Sequence, residues 1–306
     1  MTNKHPSHTA LRCLDAAARH LSFTKAAGEL NLTQGAVSRQ ILGLEDLVNV
    51  TVFLRKHAGL ELTTAGRAYW IETSAALRRI DRATQNLAFQ NGSGGVLNIC
   101  AASSFATYWL IPRLPGFVKL HPEITLNLST HIGPINLVDA VHDAAIEYCA
   151  GPQTELVAQH VLPLELGVYA APGLLGGSVL SGGHTEMDRV AIGSLLQTQP
   201  LICHSTVPAA WKCWLQAAGL TMYVNDRRLA ASPRYDLLSM ALNAAISSLG
   251  LALLPGFLAD GAVLQGHLVK LSSVTWVADK AYYLRYPESK SELVPLTCFR
   301  NWLKSE

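Results

Sequence analysis

Polar side chains that can bind DNA bases lie close together near residue 35. Gln34, Ser38 and Arg39 are at positions i, i+4 and i+5, opposite an apolar face that contains Val37 and Ile41. On a helix these three polar side chains point outward together. Glutamine can pair bidentately with adenine and arginine with guanine, whereas serine can bind phosphate. The spacing therefore predicts a helix that reads duplex DNA in the major groove.

The elements that would position this face are short helices followed by a hairpin. Apolar residues recur at helical spacing near the N-terminus, Thr24 is suited to cap a second helix, and Thr33 is suited to cap a third. In VTVFLRKHAGLELT, β-branched and apolar residues flank the turn formers Ala58 and Gly59, which indicates a two-stranded wing. We therefore predict an all-α start with a wing, a winged helix-turn-helix DNA-binding domain over residues 1–65.

One long helix is predicted over residues 66–92, because the chain has no proline there and no glycine between Gly66 and Gly92. Two interleaved series at heptad spacing run along it: Trp70, Leu77 and Thr84, and Thr73, Ile80 and Leu87. These series favour a linker helix that dimerises. The alternative is a helix that packs on its own domain. The stretch NGSGG at 91–95 then ends the helix and serves as a hinge.

The distribution of charge agrees with a polyanionic partner for this first part. The 306-residue chain has a formal net charge of +2, with 11 basic and 7 acidic residues before Gly92 and 13 and 15 after it. The start of the chain therefore carries +4 and the remainder −2. With 49% hydrophobic residues, the composition excludes disordered and collagenous chains.

Beyond residue 93 the pattern alternates between strands and helices. VLNICAA, ITLNLST, ELGVYAAP and PLICH are strand signals, and helical segments separate them. This alternation predicts an α/β, Rossmann-like domain over 93–306, with a mostly parallel sheet and helices on both faces. Its size favours two lobes with a cleft between them, lobe I at about 96–165 and 274–306 and lobe II at about 166–273.

The sequence lacks the motifs of catalysis. It contains no nucleophile elbow, Walker loop, GxGxxG or zinc-protease motif. Asp139 and Asp143 are at i and i+4, but they are expected to be solvent-exposed residues of an ordinary helix. We therefore expect no enzyme, no catalytic residue and no cofactor.

The cysteines and the absence of long apolar runs point to the cytoplasm. The six cysteines have no metal-type spacing and favour buried free thiols in a reducing compartment, without a metal site: Cys13, Cys100, Cys149, Cys203, Cys213 and Cys298. No signal peptide and no run of about 18 apolar residues is found, so no membrane partner is expected.

Several segments in a fixed order resemble the LysR-type transcriptional regulators. FTKAAGELNLTQGAVSRQILGLEDL, VTVFLRK and LTTAG resemble their DNA-binding domain, and SSFATYWLIPRLPGFVKLHPEITL, GLALLP and FRNWL resemble their effector-binding domain. The likeness runs from about Thr9 to Lys304 and is greatest to the branch that contains the glycine-cleavage activator and the β-lactamase regulator. It implies a two-lobed effector domain similar to type 2 periplasmic binding proteins.

The resemblance also implies a function and partners. A small-molecule effector would bind between the lobes and change the geometry of sequence-specific DNA binding. The chain would act as a homodimer or homotetramer on a near-palindromic operator, with RNA polymerase as a further candidate partner. Two alternatives are a constitutive DNA-binding regulator without an effector and, less favoured, a solute-binding protein, which the winged helix and the missing export signal argue against.

Carried over to this sequence, the DNA contacts comprise the start of the third helix and the wing: Thr33, Gln34, Gly35, Ser38, Arg39, Arg55 and Lys56. Gly35 stands where the family usually has a larger residue, so one direct contact is in question. Asn49 replaces the usual glycine of a turn, and asparagine tolerates the left-handed conformation.

Candidate effector contacts lie at strand ends, where open α/β sheets bind ligands: Ser103, Ser104, His131, Glu147, His204, Ser205, Tyr235 and Ser247. For Ser103 and Ser104 the alternative is helix capping, and for the histidines it is a structural role. Glu147 occupies the place of an arginine that often meets an anionic effector. Either the effector is neutral or carries an amine, or Glu147 pairs with a neighbouring base.

Overall fold

The computed structural model describes residues 5–56, 59–88, 94–130, 135, 137, 142–152, 156–176 and 187–306. The chain divides into two compact units, residues 1–92 and residues 93–306. In the described part of the chain, no helix is both long enough and apolar enough to cross a bilayer.

Three helices and a hairpin make up most of the first unit: α1 His8–His20, α2 Phe23–Leu30, α3 Gln34–Val48, and the antiparallel strands β1 Phe53–Lys56 and β2 Gly59–Leu62. Thr33 caps α3 as predicted, since its Oγ1 accepts a hydrogen bond from the amide of Ala36 at 3.2 Å. The prediction that Thr24 caps α2 was wrong. Ser22 is extended and accepts from the amide of Lys25, which places Thr24 inside the first turn.

Asn49 ends α3 in the left-handed conformation, with φ of 52°. The tolerance predicted for this asparagine is thereby confirmed. The wing begins just beyond it and is attached to α3 by Glu45, whose Oε1 accepts hydrogen bonds from the amides of Val52 and Phe53 at 2.6 and 2.9 Å. One carboxylate of α3 therefore fixes the start of the hairpin.

The long helix α4 spans Thr64–Ala88. Two members of its first heptad series face their own unit: the indole Nε1 of Trp70 donates to Asp15 Oδ1 of α1 at 3.0 Å, and Leu77 is buried, whereas Thr84 is exposed. Ile80, from the second series, is 50% exposed. The Trp70 side of the helix therefore packs within the chain, as the alternative stated, while the Ile80 side remains accessible.

The second unit contains one eight-stranded sheet: β3 Gly95–Ala101, β4 Ile124–Thr130, β5 Ala144–Cys149, β6 Val157–Ala170, β7 Leu201–His204, β8 Arg234–Tyr235, β9 Leu251–Pro255 and β10 Val269–Tyr286. Its strand order is β4-β3-β5-β10-β6-β9-β7-β8. The pairings within β4-β3-β5 and within β9-β7-β8 are parallel, whereas those of β10 with β5 and β6, and of β6 with β9, are antiparallel.

The prediction of a mostly parallel sheet therefore needs correction, since the sheet is mixed. Two parallel ends are joined by the long strands β6 and β10, which lie side by side in the middle and run in opposite directions. These two strands, of 14 and 18 residues, pair with each other, and each also pairs antiparallel with a strand of one parallel end, β6 with β9 and β10 with β5. A pattern of apolar residues shows a strand but not its direction.

Helices of the second unit lie between these strands: α5 Ser103–Phe105, which continues into a π-helical turn at Ala106–Leu110, α6 Leu114–Leu120, α7 Arg189–Thr198, α8 Ala210–Ala218, α9 Asp226–Ala230, α10 Leu238–Ile246, α11 Gly256–Leu264 and α12 Val294–Leu303. Large buried side chains such as Phe105, Tyr169 and Trp214 fill the core. The helix predicted just before β5 falls outside the described residues.

Asp143 corrects another expectation. It is 2% exposed rather than solvent-facing, because the chain there enters β5 and not a helix. Its Oδ2 accepts from the amide of Asn98 at 2.8 Å, and its Oδ1 accepts from the ammonium of Lys290 at 3.2 Å. Asp139, the other member of the pair, lies outside the described residues.

The six cysteines are free thiols, but they are not uniformly buried. Cys13, Cys100 and Cys203 are buried, and the other three are half-buried. Burial raises the thiol pKa of each of these three buried cysteines above its ordinary value. They are therefore protonated at neutral pH and act as small apolar groups of the core.

Candidate functional site

The start of α3 presents the polar face that the sequence predicts. Gln34, Gly35 and Arg39 are exposed and Ser38 is half-buried. On the opposite side Val37 is fully buried in the core of the first unit. The burial pattern thus separates a packed face from a polar face on one helix.

Gly35 stands in open space. A β-carbon built at this position would have no atom within 4 Å, and the residue lies in the first turn of a regular helix. Packing therefore does not require glycine here. Without a side chain at this position, the amides of the first turn are open to a phosphate or a base edge.

Arg55 and Lys56 lie on β1 at the end nearest the hairpin turn, opposite Leu60 and Gly59. Their side chains lie outside the described part of the structure. The backbone places both residues at the tip of the wing, where the sequence predicts them.

A network of charges holds α1 and α2 together behind the polar face. Arg19 donates to Asp15 and, through both terminal nitrogens, to Glu29, which also contacts His20. The Arg19 guanidinium, followed by His20, lowers the pKa of Glu29 to about 2. Glu29 therefore remains a carboxylate over the whole range in which the protein would work, and the network fixes the helices that carry α3.

A cavity of about 580 Å³ lies in the second unit and collects side chains from both parallel ends of the sheet and from β10. Four predicted residues line it: Ser103, Ser104, Glu147 and His204. Sequence reasoning missed several others: Thr206, Asp236, Lys280, Tyr282 and Arg285. Concave sites of this size with a few converging polar groups bind small molecules.

Ser104 is buried, and its hydroxyl accepts a hydrogen bond from the amide of Ser239 at 3.0 Å. The helix-capping alternative, in which Ser103 or Ser104 caps the helix that it opens, was wrong. Ser104 does not cap α5, which follows Ala102 without a side-chain cap, but it satisfies an amide in the first turn of α10. The chemical reason is the same, since the first amides of a helix lack partners within it.

Glu147 forms an ion pair with Arg285, with Nη1 donating to Oε2 at 3.1 Å. The two side chains are 14% and 10% exposed. Of the two alternatives for Glu147, the structure therefore contains the internal pair with a neighbouring base. Because Arg285 is supplied by β10, far along the chain from β5, sequence spacing could not identify it.

His204 is a half-buried histidine in the wall of the cavity. Its Nδ1 lies 3.3 Å from the amide and 2.7 Å from the hydroxyl of Thr206. The amide can only donate, so the tautomer assigned here carries its proton on Nε2. Nε2 is buried, and the backbone of Asp236 interacts with the imidazole.

Burial lowers the pKa of His204 to about 4, against an opposing effect of Asp236. The imidazole is therefore neutral near pH 7. A neutral imidazole in the wall of the cavity adds no charge that would attract an anion.

Aromatic rings form another side of the cavity. Tyr148 and Tyr282 both line it, with their ring centroids 5.7 Å apart, and Phe105 lies 4.6 Å behind Tyr282. Burial raises the pKa of Tyr148 to about 12 and that of Tyr282 further. Both phenols are therefore protonated at neutral pH and present an apolar face together with a hydroxyl.

Of the remaining predicted contacts, Ser205, Tyr235 and Ser247 do not line this cavity. Ser205 is exposed, and its amide donates to the carbonyl of Tyr235 at 2.8 Å, on the neighbouring strand. Ser247 is exposed at the C-terminal end of α10. His131 lies outside the described residues.

Two family matches cover most of the chain. Residues 8–67 match the family described as "Bacterial regulatory helix-turn-helix protein, lysR family", and residues 90–306 match the "LysR substrate binding domain". The chain belongs to the LysR family of transcriptional regulators. The resemblance stated from the sequence, the predicted fold class and the function of transcriptional regulator are thereby confirmed.

Full-length relatives of this LysR-type regulator agree with the predicted branch. The glycine cleavage system transcriptional activator of Escherichia coli is 31% identical over 309 residues, which is 99% of this chain and 94% of that protein. The transcriptional activator AmpR of Pseudomonas aeruginosa is 32% identical over 304 residues, 99% of this chain and 96% of that protein. These relatives are transcriptional regulators rather than enzymes.

Solved LysR-type structures share the fold. The effector domain of AmpR of Pseudomonas aeruginosa matches with a TM-score of 0.57 at 25% identity, over 69% of this chain and 94% of that chain. CbnR, a LysR family transcriptional regulator, matches with a TM-score of 0.62 over 98% of both chains at 14% identity. At that identity the second match shows the fold alone.

One sequence signal could have identified part of what was missed in this LysR-type regulator. In β10 the segment 281–286, AYYLRY, is apolar and aromatic apart from Arg285. An arginine in a strand of this kind is rarely buried without an acidic partner. The signal predicts a buried pair but does not identify Glu147 as the partner.

Proposed function

We propose that this LysR-type regulator is ligand-responsive, binding a small molecule in the cavity of its second unit and duplex DNA through α3. The observation that carries the proposal is the cavity itself. It is lined by the neutral His204 together with Ser103, Ser104 and Glu147, in a chain whose first unit presents Gln34 and Arg39 on an exposed helix face.

The DNA contacts are assigned by their position on the fold. Gln34 and Arg39 would meet base edges. Thr33, Gly35 and Ser38 would contact phosphate or sugar near the helix start, and Arg55 and Lys56 would reach an adjacent groove or the backbone from the wing. In this proposal residues 1–65 form the DNA-binding domain, and residues 66–92 form the linker, which consists mainly of α4.

The effector would be held between two lobes. Lobe I comprises about residues 96–165 and 274–306, and lobe II comprises about residues 166–273. Both divisions fall inside the long strands β6 and β10, which run through both parallel ends of the sheet. Strands shared in this way can act as hinges, so that binding shifts the population between open and closed arrangements. The predicted contacts that this cavity supports are Ser103, Ser104, Glu147 and His204.

Oligomerisation through α4 would place two recognition helices on a near-palindromic operator. Ile71 and Ile80 are 56% and 50% exposed on that helix, which favours a homodimer, or a homotetramer built from two dimers. RNA polymerase is a candidate partner in the cytoplasm, where such a regulator would act.

The experiment that tests the proposal has two parts. First, the purified full-length chain is mixed with genomic fragments and an excess of random duplex at moderate ionic strength, and retained fragments are sequenced. Recovery of one enriched, near-palindromic site is expected, whereas equal retention of all fragments would refute sequence-specific binding.

Secondly, amino acids, amines and small carboxylates are screened by thermal shift, since a ligand that binds the native state raises its melting temperature. A saturable hit that changes the footprint on the enriched site is expected. Specific DNA binding with no hit and no change in footprint would favour the constitutive alternative.

A further inference from the structure

We infer that Glu147 determines the ligand specificity of the cavity by neutralising Arg285, so that the cavity discriminates against anionic ligands and favours neutral or zwitterionic ones. The inference rests on the proposed function only in taking this cavity as the effector site. It concerns binding by the second unit and makes no claim about DNA.

The pairing of strands in the sheet brings Glu147 and Arg285 together. Glu147 is on β5 and Arg285 is on the adjacent antiparallel strand β10, where Arg285 is opposite Ala145 and Glu147 is opposite Tyr283. The two residues are therefore diagonal neighbours, within reach of long side chains. Nη1 donates to Oε2 at 3.1 Å, and both residues line the cavity. The register of the strands fixes the pair.

The burial of the ion pair determines how strongly its charges interact with a ligand. With 10% and 14% of the side chains exposed, the charges interact in a medium of lower dielectric than water, and each ion depends on the other. A guanidinium is a strong binder of carboxylates, but Glu147 already occupies one of its donors. An incoming carboxylate would also approach the Glu147 carboxylate, whose negative charge repels it and cancels much of the attraction of Arg285.

The other charges of the cavity do not restore an attraction for anions. Asp236 and Lys280 are exposed, line the same cavity and have opposite signs. Together with the buried pair they bring the formal charge of the described residues that line the cavity to zero. A net anion therefore gains little, whereas an uncharged or zwitterionic molecule can still hydrogen-bond to the neutral His204 and contact the tyrosine rings.

The test removes the charge of Glu147 and asks whether Arg285 then binds an anion. Acetate and its uncharged isostere acetamide are titrated into the full-length wild type and Glu147→Gln, at constant ionic strength, by isothermal titration calorimetry. In the wild type we expect acetate to bind no more tightly than acetamide. In Glu147→Gln we expect acetate to bind at least roughly tenfold more tightly than acetamide, as a released charge-assisted hydrogen bond would allow.

Two further variants make the test specific. Asp236→Asn removes an equal charge from the same cavity without touching Arg285, so it should not gain the preference for acetate. Glu147→Gln/Arg285→Gln should lose the gain of the single variant. The inference would be overturned by a wild type that already prefers acetate, by equal affinity for the two probes in Glu147→Gln, or by an equal gain in Asp236→Asn.

If Glu147→Gln does not fold, as judged by circular dichroism, the pair is tested from its other side. Arg285→Gln leaves the Glu147 carboxylate unpaired, and it should bind methylammonium roughly tenfold more tightly than acetamide. The absence of that preference would also overturn the inference. Because DNA selection is measured separately on the wild type, failure of the specificity inference and failure of the proposed regulator remain distinguishable.

Discussion

The hydroxyl of Ser104 accepts a hydrogen bond from the amide of Ser239 at 3.0 Å and so links the two sides of the ligand cavity. Ser104 follows β3, at one parallel end of the sheet, whereas Ser239 is in α10, which packs against β7 and β9 at the other end. One buried hydrogen bond therefore connects the elements whose relative movement would transmit ligand binding. This hydrogen bond joins two groups of the protein itself and needs no ligand to form.

We predict that Ser104→Ala weakens the effector response. The change leaves the Ser239 amide without this acceptor, which typically costs about 1 kcal/mol, and it loosens the link between the two sides. Dose-response curves in a transcriptional reporter should become shallower or shift to higher ligand concentration, with operator affinity in the absence of ligand as the reference. Ser194→Ala is the matched control, because Ser194 is an exposed serine of α7 that does not line the cavity. Identical curves for Ser104→Ala and the wild type would remove this link from the mechanism.

We predict that His204 makes the second unit less stable in mild acid. Its pKa in the folded chain is lowered to about 4, below the ordinary value of about 6.5. The unfolded state therefore takes up a proton as the pH falls below 6.5, while the folded state does not. Stability is lost between pH 6.5 and 4, by at most about 2 kcal/mol at pH 5 because the side chain is partly exposed.

The measurement compares urea unfolding of the wild type and His204→Gln at pH 7 and pH 5. Glutamine does not titrate, so the variant should lose less stability over this interval than the wild type. The difference between the two proteins isolates His204 from the carboxylates that titrate nearby. An equal loss in both proteins would show that His204 is protonated in the folded state.

The contact between Trp70 and Asp15 supplies a third prediction. The indole donates to Asp15 at 3.0 Å, and Arg19 donates to the other carboxylate oxygen. Trp70→Phe keeps a ring but removes the donor, so we expect the first unit to be destabilised by about 1 kcal/mol. Ile71→Ala is the control, since Ile71 is the next residue and is 56% exposed. Melting temperatures by circular dichroism should fall more for Trp70→Phe, and the opposite order would contradict this role of the indole.

The sequence predicted local elements well and distant partners poorly, for a physical reason. The cap at Thr33 and the polar face of α3 depend on residues within one or two helical turns, so spacing alone identifies them. Strand direction and the partner of Glu147 depend on which segments become neighbours in the sheet. Arg285 lies 138 positions from Glu147, and no pattern near either residue specifies that pairing.

Capping shows the same limit on a smaller scale. Ser22 and Thr24 are both good caps, and local sequence does not separate them. In the structure Ser22 is the cap, because the turn after α1, in which Leu21 is left-handed, leaves Ser22 extended. Its hydroxyl can then accept a hydrogen bond from the amide of Lys25. From the sequence, Ser104 was identified as a cap or a ligand contact. The helix amide that it binds, in α10, comes close to Ser104 only in the folded chain.

The last prediction concerns the DNA-binding face. Arg39 is exposed on α3, so Arg39→Ala should leave the fold intact while removing a side chain suited to pair bidentately with guanine. Specific binding should weaken by about 1–3 kcal/mol, and Arg39→Lys should not restore it fully because lysine cannot make the same forked contact. Competition between the enriched operator and random duplex at fixed salt measures this loss. Arg227→Ala, which removes an exposed arginine from the second unit, controls for overall charge, and an unchanged specificity ratio in Arg39→Ala would falsify the assignment of Arg39 to base recognition.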